Sequence, residues 1–134
     1  MNNYPIIKLR KGKDEAVKRF HPWIFSGAIE RIKCNGDEIK EGEVVDVFTK
    51  SGDFIARGHY QIGSIAVRVL SFDADVLAPD FWEVMLSRAL QVRVACGLHG
   101  SENTTCYRLV HGEGDNLPGL IIDYYDGVCV MRYI

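Results

Sequence analysis

Glu43-Val44-Val45-Asp46-Val47-Phe48-Thr49-Lys50-Ser51-Gly52-Asp53-Phe54-Ile55-Ala56-Arg57-Gly58-His59-Tyr60 decides how this chain begins to fold. Apolar and polar side chains alternate along Glu43–Thr49, with Val45, Val47 and Thr49 on one face and Val44, Asp46 and Phe48 on the other. A period of two is the mark of a half-buried strand. Ser51-Gly52 supplies a tight turn, and Phe54–Tyr60 runs back as a second strand, so the stretch predicts a β-hairpin. Ile65–Phe72 reads as a further strand, in which Val67, Val69 and Ser71 oppose Ala66, Arg68 and Leu70. Upstream, Ile6–Leu9 is a short strand ending at Gly12, Ala28–Ile32 alternates as a strand does, and Asn35-Gly36 signals a turn. Asp14–Phe20 reads as a short helix, with Ala16, Val17 and Phe20 on one face and Pro22 as its stop. Short strands with turns at close intervals predict a small, partly closed β-barrel.

The character changes at Phe72. A polar connection, Asp73–Asp80, leads into a long amphipathic pattern with Pro79 at its start and Gly97 at its end. Phe81, Met85, Ala89, Val92 and Cys96 form one apolar stripe, which Trp82, Leu86, Leu90 and Val94 widen. The pattern predicts a helix that packs one broad face on a sheet, with Trp82 in the core. Tyr107–Val110, Leu120–Tyr125 and Val128–Ile134 read as strands, the last two joined by the type I′ signal Asp126-Gly127. The chain closes on an apolar strand with no polar tail, from which a piece of a longer protein is expected.

Composition narrows the classes. A chain of 134 residues allows one domain or two small ones, and 47% hydrophobic with 25% charged residues is ordinary for a globular protein. No window holds 18 consecutive apolar residues, so no membrane helix is expected, and the polar start shows no secretory signal. Cys34, Cys96, Cys106 and Cys129 form no CxxC pair, which argues against a zinc cluster or a disulfide framework. Reduced thiols in a cytoplasmic protein are the expectation, with no metal. The net charge of −2 hides an asymmetry. Residues 1–33 carry eight cations against three anions, a net +5, and the other 101 residues carry eight against fifteen, a net −7. Such a split suits a polyanion at the N-terminal end, or a solvated basic face.

Two segments carry chemistry. His21-Pro22-Trp23-Ile24-Phe25-Ser26-Gly27-Ala28 reads as a rigid aromatic turn behind a basic arm, and such arms hold phosphates without reading sequence. Lys11, Lys13, Lys18 and Arg19 are the phosphate-contact candidates. Arg57 is either an RNA contact or a partner for Asp53 or Asp46. Trp23 and Phe25 either stack on a base or close a barrel end, the latter favoured. His21 is read as holding the turn by a hydrogen bond rather than as a catalyst. The second segment, Tyr107–Asp123, contains Gly112, Gly114 and Gly119 with Glu113 and Asp115. No Lys or helix start follows it, which argues against a phosphate cradle. Asp115 either caps backbone N–H groups, or Arg108, Glu113 and Asp115 form a polar wall toward a substrate or a neighbouring domain.

Taken in order, the basic start (Lys8 to Lys13), the motif at 21–29, Ile55–Tyr60 and the run at 107–127 resemble the N-terminal portion of one family. It is the family of PUA-domain-containing, S-adenosylmethionine-dependent methyltransferases that modify cytosine C5 in bacterial large-subunit ribosomal RNA. The resemblance implies a mixed α+β fold. Residues 1–73 would be a PUA-like RNA-binding β-barrel. Residues 74–134 would open a small central α/β domain of a helix plus antiparallel strands. The family's Rossmann-like catalytic domain, its S-adenosylmethionine and its catalytic Cys would lie outside this chain, since no strand-to-helix Gly-rich loop is present and none of the four Cys matches. The implied role is to bind ribosomal RNA and position the missing C-terminal methyltransferase domain, with no methyl transfer by these residues alone. A stand-alone RNA-binding adaptor, or a dimerisation module using helix 80–96 and the unpaired last strand, are the alternatives.

Overall fold

The computed structural model describes residues 4–34, 38–73 and 79–133. The chain divides into two compact units, Met1–Val76 and Leu77–Ile134.

The first unit holds a six-stranded sheet. Its strands are β1 (Ile6–Leu9), β2 (Trp23–Phe25), β3 (Ile29–Lys33), β4 (Val44–Phe48), β5 (Phe54–Tyr60) and β6 (Ile65–Ser71), in the order β2-β6-β5-β4-β1-β3. The β4–β5 hairpin forms as the alternation requires, antiparallel from Val44↔His59 to Phe48↔Phe54. β1 joins it in parallel through Ile6↔Asp46, Ile7↔Val47 and Lys8↔Phe48. The alternation also sets the inner face: Ile7, Leu9, Ile24, Val45, Val47, Ala56, Val67 and Val69 are buried together with Val17. Full burial of a Val, Leu or Ile side chain stabilises a domain by about 1.5–3 kcal/mol.

The two outermost strands, β2 and β3, are consecutive in sequence, which forces the sheet to curl. A flat six-stranded sheet would separate its edges by about 24 Å. The chain between Phe25 and Ile29 spans at most about 14 Å. A 3₁₀ turn at Ser26–Ala28 makes this short bridge. It is tied at both ends: Ser26 N–H donates to Ser64 O at 2.8 Å beside β6, and Arg10 N–H donates to Ala28 O at 2.8 Å just after β1. The result is a curled, partly closed sheet.

Several local expectations are corrected here. The segment read as an aromatic turn is a strand, β2, because Ile24 pairs with Val67 and enters the core. The first helix, α1, covers only Glu15–Lys18 and buries only Val17. It stops before Pro22 acts, because Phe20 takes a left-handed φ of 65° and points its ring outward against Phe72, with the ring centroids 5.1 Å apart. Ala28–Ile32 is shifted to Ile29–Lys33 and mostly exposed. The Asn35-Gly36 turn lies outside the described residues.

In the second unit, α2 (Phe81–Ala95) packs on a three-stranded antiparallel sheet of β7 (Cys106–His111), β8 (Leu120–Tyr125) and β9 (Val128–Tyr133). Gly97 ends the helix with φ 74°, and Asp126 and Gly127 make the β8–β9 turn with φ 43° and 94°, both as the sequence predicts. The broad apolar face of the helix is not buried. Met85 and Ala89 are buried on Val110, Leu117, Leu120 and Ile122, with Phe81 and Leu86 beside them. Trp82 is 40% exposed and Val92 52%, so Trp82 is not a core residue. Every residue of β9 is exposed, so the buried side of α2 rests on residues of β7, β8 and the turn between them.

Gly58 sits where β5 meets β6 at a register shift. A Cβ there would lie 2.2 Å from Arg68 O and 2.9 Å from Val69 Cα. The close approach at Gly58 is therefore to the backbone of the neighbouring strand. Gly58→Ala is expected to destabilise the first unit by about 3 kcal/mol or more, because the obstructing atoms are backbone. Urea unfolding monitored at the Trp23 indole checks this, and an unchanged midpoint would contradict it.

Candidate nucleic-acid interface

The basic arm lies between β1 and β2, and α1 is its middle. Lys11, Lys13 and Arg19 are exposed, and their side chains make no ion pair or hydrogen bond among the described residues. Lys18 pairs with Asp14 one helical turn earlier, at 2.7 Å. The hydrogen bond to Lys18 holds the Asp14 carboxyl below its usual range, and the Lys18 ammonium is raised in turn. Such an exposed i,i+4 pair is weak, so Lys18 can exchange Asp14 for another anion at little cost.

The arm borders an open cleft of roughly 350 Å³ between α1 and β2. Lys13, Val17, Trp23, Phe25, Gly27 and Ala28 line it. Since Ile24 points into the core, its neighbours Trp23 and Phe25 share the opposite, outward side. Phe25 is 49% exposed, so the expectation that it closes the barrel end fails. Trp23 and Phe25 meet edge to face, with ring centroids 6.5 Å apart and an interplanar angle of 90°. His21 lies against both rings, and its Nδ1 accepts a hydrogen bond from Trp23 N–H at 3.1 Å. That bond is the turn-holding role expected of it. Arg68 stands over the outer side of Trp23 at 6.0 Å, held by Nε donating to Gln61 Oε1 at 2.7 Å.

Arg57 does not stand with the arm. It is 4% exposed and its Nε donates to Asp46 Oδ1 at 2.6 Å, between the rings of Tyr4 and Phe54. The cross-strand register Asp46↔Arg57 brings the two together, so of the sequence alternatives the structure shows the Asp46 pairing. An isolated buried charge is costly, and this pairing is what allows Arg57 to stay inside.

In the second unit, Arg108 and Asp115 are held by separate partners. Arg108 Nε donates to Asp123 Oδ1 at 2.8 Å across β7–β8, beside a shallow depression also lined by Cys106, His111 and Tyr125. Asp115 is turned the other way. It accepts from Arg93 Nη2 at 2.8 Å and from His111 N–H at 2.6 Å. Glu113 is half-buried in the intervening 3₁₀ turn at Gly112–Asp115. The sequence reading caught the backbone cap but missed Arg93, which continues the buried stripe of α2 one turn beyond Ala89. It also missed the cleft lining, although the alternation Trp23-Ile24-Phe25 carries the signal: one inward residue implies two outward aromatics. The four Cys are exposed and form no disulfide, and no metal-binding cluster occurs among the described residues. Among the described residues no helix is long and apolar enough to cross a membrane.

Residues 7–72 match the family of PUA-like domains. Over 130 residues the chain is 38% identical to ribosomal RNA large subunit methyltransferase I of Photobacterium profundum, covering 96% of this chain and 32% of that protein. Over 133 residues it is 34% identical to the protein of the same name from Klebsiella pneumoniae, covering 98% and 32%. Among solved structures, a SAM-dependent methyltransferase from Streptococcus mutans superposes with a TM-score of 0.75 at 17% identity, over 96% of this chain and 32% of that one, a likeness of fold. The chain thus spans about a third of the length of these relatives.

The Asp115 pair makes the second unit acid-sensitive. Burial alone would raise the Asp115 carboxyl, but the hydrogen bonds from Arg93 and His111 N–H outweigh it and leave it lowered. A carboxyl lowered in the folded state adds stability above its unfolded value of about 3.9, and that stability is lost as pH falls through the folded value. Asp115→Asn is expected to cost about 3 kcal/mol at pH 7 by leaving Arg93 unpaired. It should also flatten the fall in stability below about pH 4. Thermal melts at pH 7 and at low pH check this, and an unchanged acid sensitivity in the variant would contradict it.

Proposed function

We propose that this chain is the RNA-docking, N-terminal part of an S-adenosylmethionine-dependent methyltransferase acting on cytosine C5 of large-subunit ribosomal RNA. The observation that carries the reading is the set of exposed cations Lys11, Lys13 and Arg19, of which Lys13 lines an aromatic cleft, inside the segment that matches PUA-like domains. The names of the relatives support ribosomal RNA as the partner and methyl transfer as the activity of the whole protein. The C5 position rests on the sequence resemblance.

In this reading Lys11, Lys13 and Arg19 hold phosphates, Lys18 joins when it leaves Asp14, and Arg57 keeps the sheet behind them rigid through Asp46. S-adenosylmethionine would supply the methyl group, but the Gly-rich segment of this chain does not fit it. That segment folds into a 3₁₀ turn between two antiparallel strands, β7 and β8, and opens no helix. Methyl transfer therefore belongs to the rest of such an enzyme. The second unit, with Arg108, Glu113 and Asp115, is assigned the positioning of that part.

The test is RNA affinity as a function of salt, using a large-subunit ribosomal RNA segment. Counterion release predicts a log–log slope of roughly −0.7 to −0.9 per phosphate neutralised. The Lys11→Ala, Lys13→Ala, Arg19→Ala triple variant should reduce the slope by about two to three. Absence of binding at low salt, or an unaltered slope in the variant, would overturn the reading.

A further inference from the structure

We propose that the cleft between α1 and β2 receives an unpaired base, stacked on Phe25, so that the surface selects RNA with a single-stranded nucleotide over continuous duplex. The inference rests on the RNA reading above and specifies the RNA it takes. Three observations converge on it. Phe25 is a large apolar ring, half exposed, on a strand whose core residue is Ile24. Its edge-to-face meeting with Trp23 means that the two rings do not stack on each other. A planar base supplies the stacking partner that Trp23 does not.

The second observation is the floor of the cleft. Gly27 lines it, its φ lies outside the left-handed region, and a Cβ built there meets nothing within 4 Å. Glycine is thus not demanded by backbone geometry, and its missing side chain leaves open space beside Phe25. The third is charge. Lys13 is the only charged residue among the described residues that line the cleft, and Lys11 stands two residues before it. An apolar slot with a cation at its rim suits a nucleotide, whose base is a flat π-surface and whose phosphate is an anion. Paired bases inside a helix are stacked on both faces and present only their edges, so the interior of a duplex cannot place a base face on Phe25.

The test compares three RNAs on this chain at one salt concentration: a continuous duplex, the same duplex with an unpaired overhang, and the overhang strand alone. Wild-type protein should bind the two RNAs with unpaired bases more tightly than the duplex. Phe25→Ala should lose roughly five- to 150-fold on those two RNAs, the range for removing one base–aromatic stack. It should leave duplex affinity and the salt slope unchanged, because the phosphate contacts remain. Phe25→Tyr should restore binding. Gly27→Leu should fill the cleft and reproduce the loss with the ring still present. Equal affinity for all three RNAs, or no effect of either blocking variant, would overturn the inference while RNA binding itself stands. No binding of any RNA at low salt would instead overturn the RNA reading beneath it.

Discussion

The first unit depends on one short connection. Ser26–Ala28 joins the two edges of a six-stranded sheet, and the sheet has to curl for so few residues to reach. Curling brings the inward faces of all six strands around one core and seats Val17 of α1 in it. The same connection sets the surface. With Ile24 held inward and the bridge tied to Ser64 and Arg10, Trp23 and Phe25 have to stand outward beside the basic arm. The core and the candidate interface are therefore two sides of one strand, and neither can change register without the other.

Charge divides the molecule in a parallel way. Arg57–Asp46 and Arg93–Asp115 are largely buried pairs in which each partner depends on the other. Removing one member leaves an uncompensated charge, so these residues belong to stability. Lys11, Lys13 and Arg19 lie in the open, free of an intramolecular carboxylate among the described residues. Charges of that kind add little to folding and remain available to a polyanion. The positive excess of the first 33 residues thus resolves into an arm whose cations are mostly uncommitted.

What the sequence made legible was what neighbouring residues decide. The alternation at Glu43–Thr49, the Ser51-Gly52 turn, the Gly97 helix end and the Asp126-Gly127 hairpin all depend on a few consecutive residues, and all stand in the structure. What depends on distant partners was read poorly. Which stripe of α2 meets the sheet is not written in the helix, so Trp82 looked like core. β2 is three residues long behind a proline, too short for a period to show, and its strand character comes from β6. Asp115 finds Arg93 twenty-two residues away, a pairing that no local pattern announces. The arm cations were legible from charge alone, whereas Arg57 could be placed only once the register set Asp46 opposite it.

The central claim is that RNA meets this chain at the arm and the α1–β2 cleft. Photo-crosslinking addresses it most directly: ribosomal RNA carrying 4-thiouridine is irradiated with the protein, and the linked peptides are identified by mass spectrometry. The account predicts crosslinks concentrated in residues 11–28, with Trp23 and Phe25 among the modified positions. Crosslinks confined to the sheet of the second unit, residues 106–133, would contradict it.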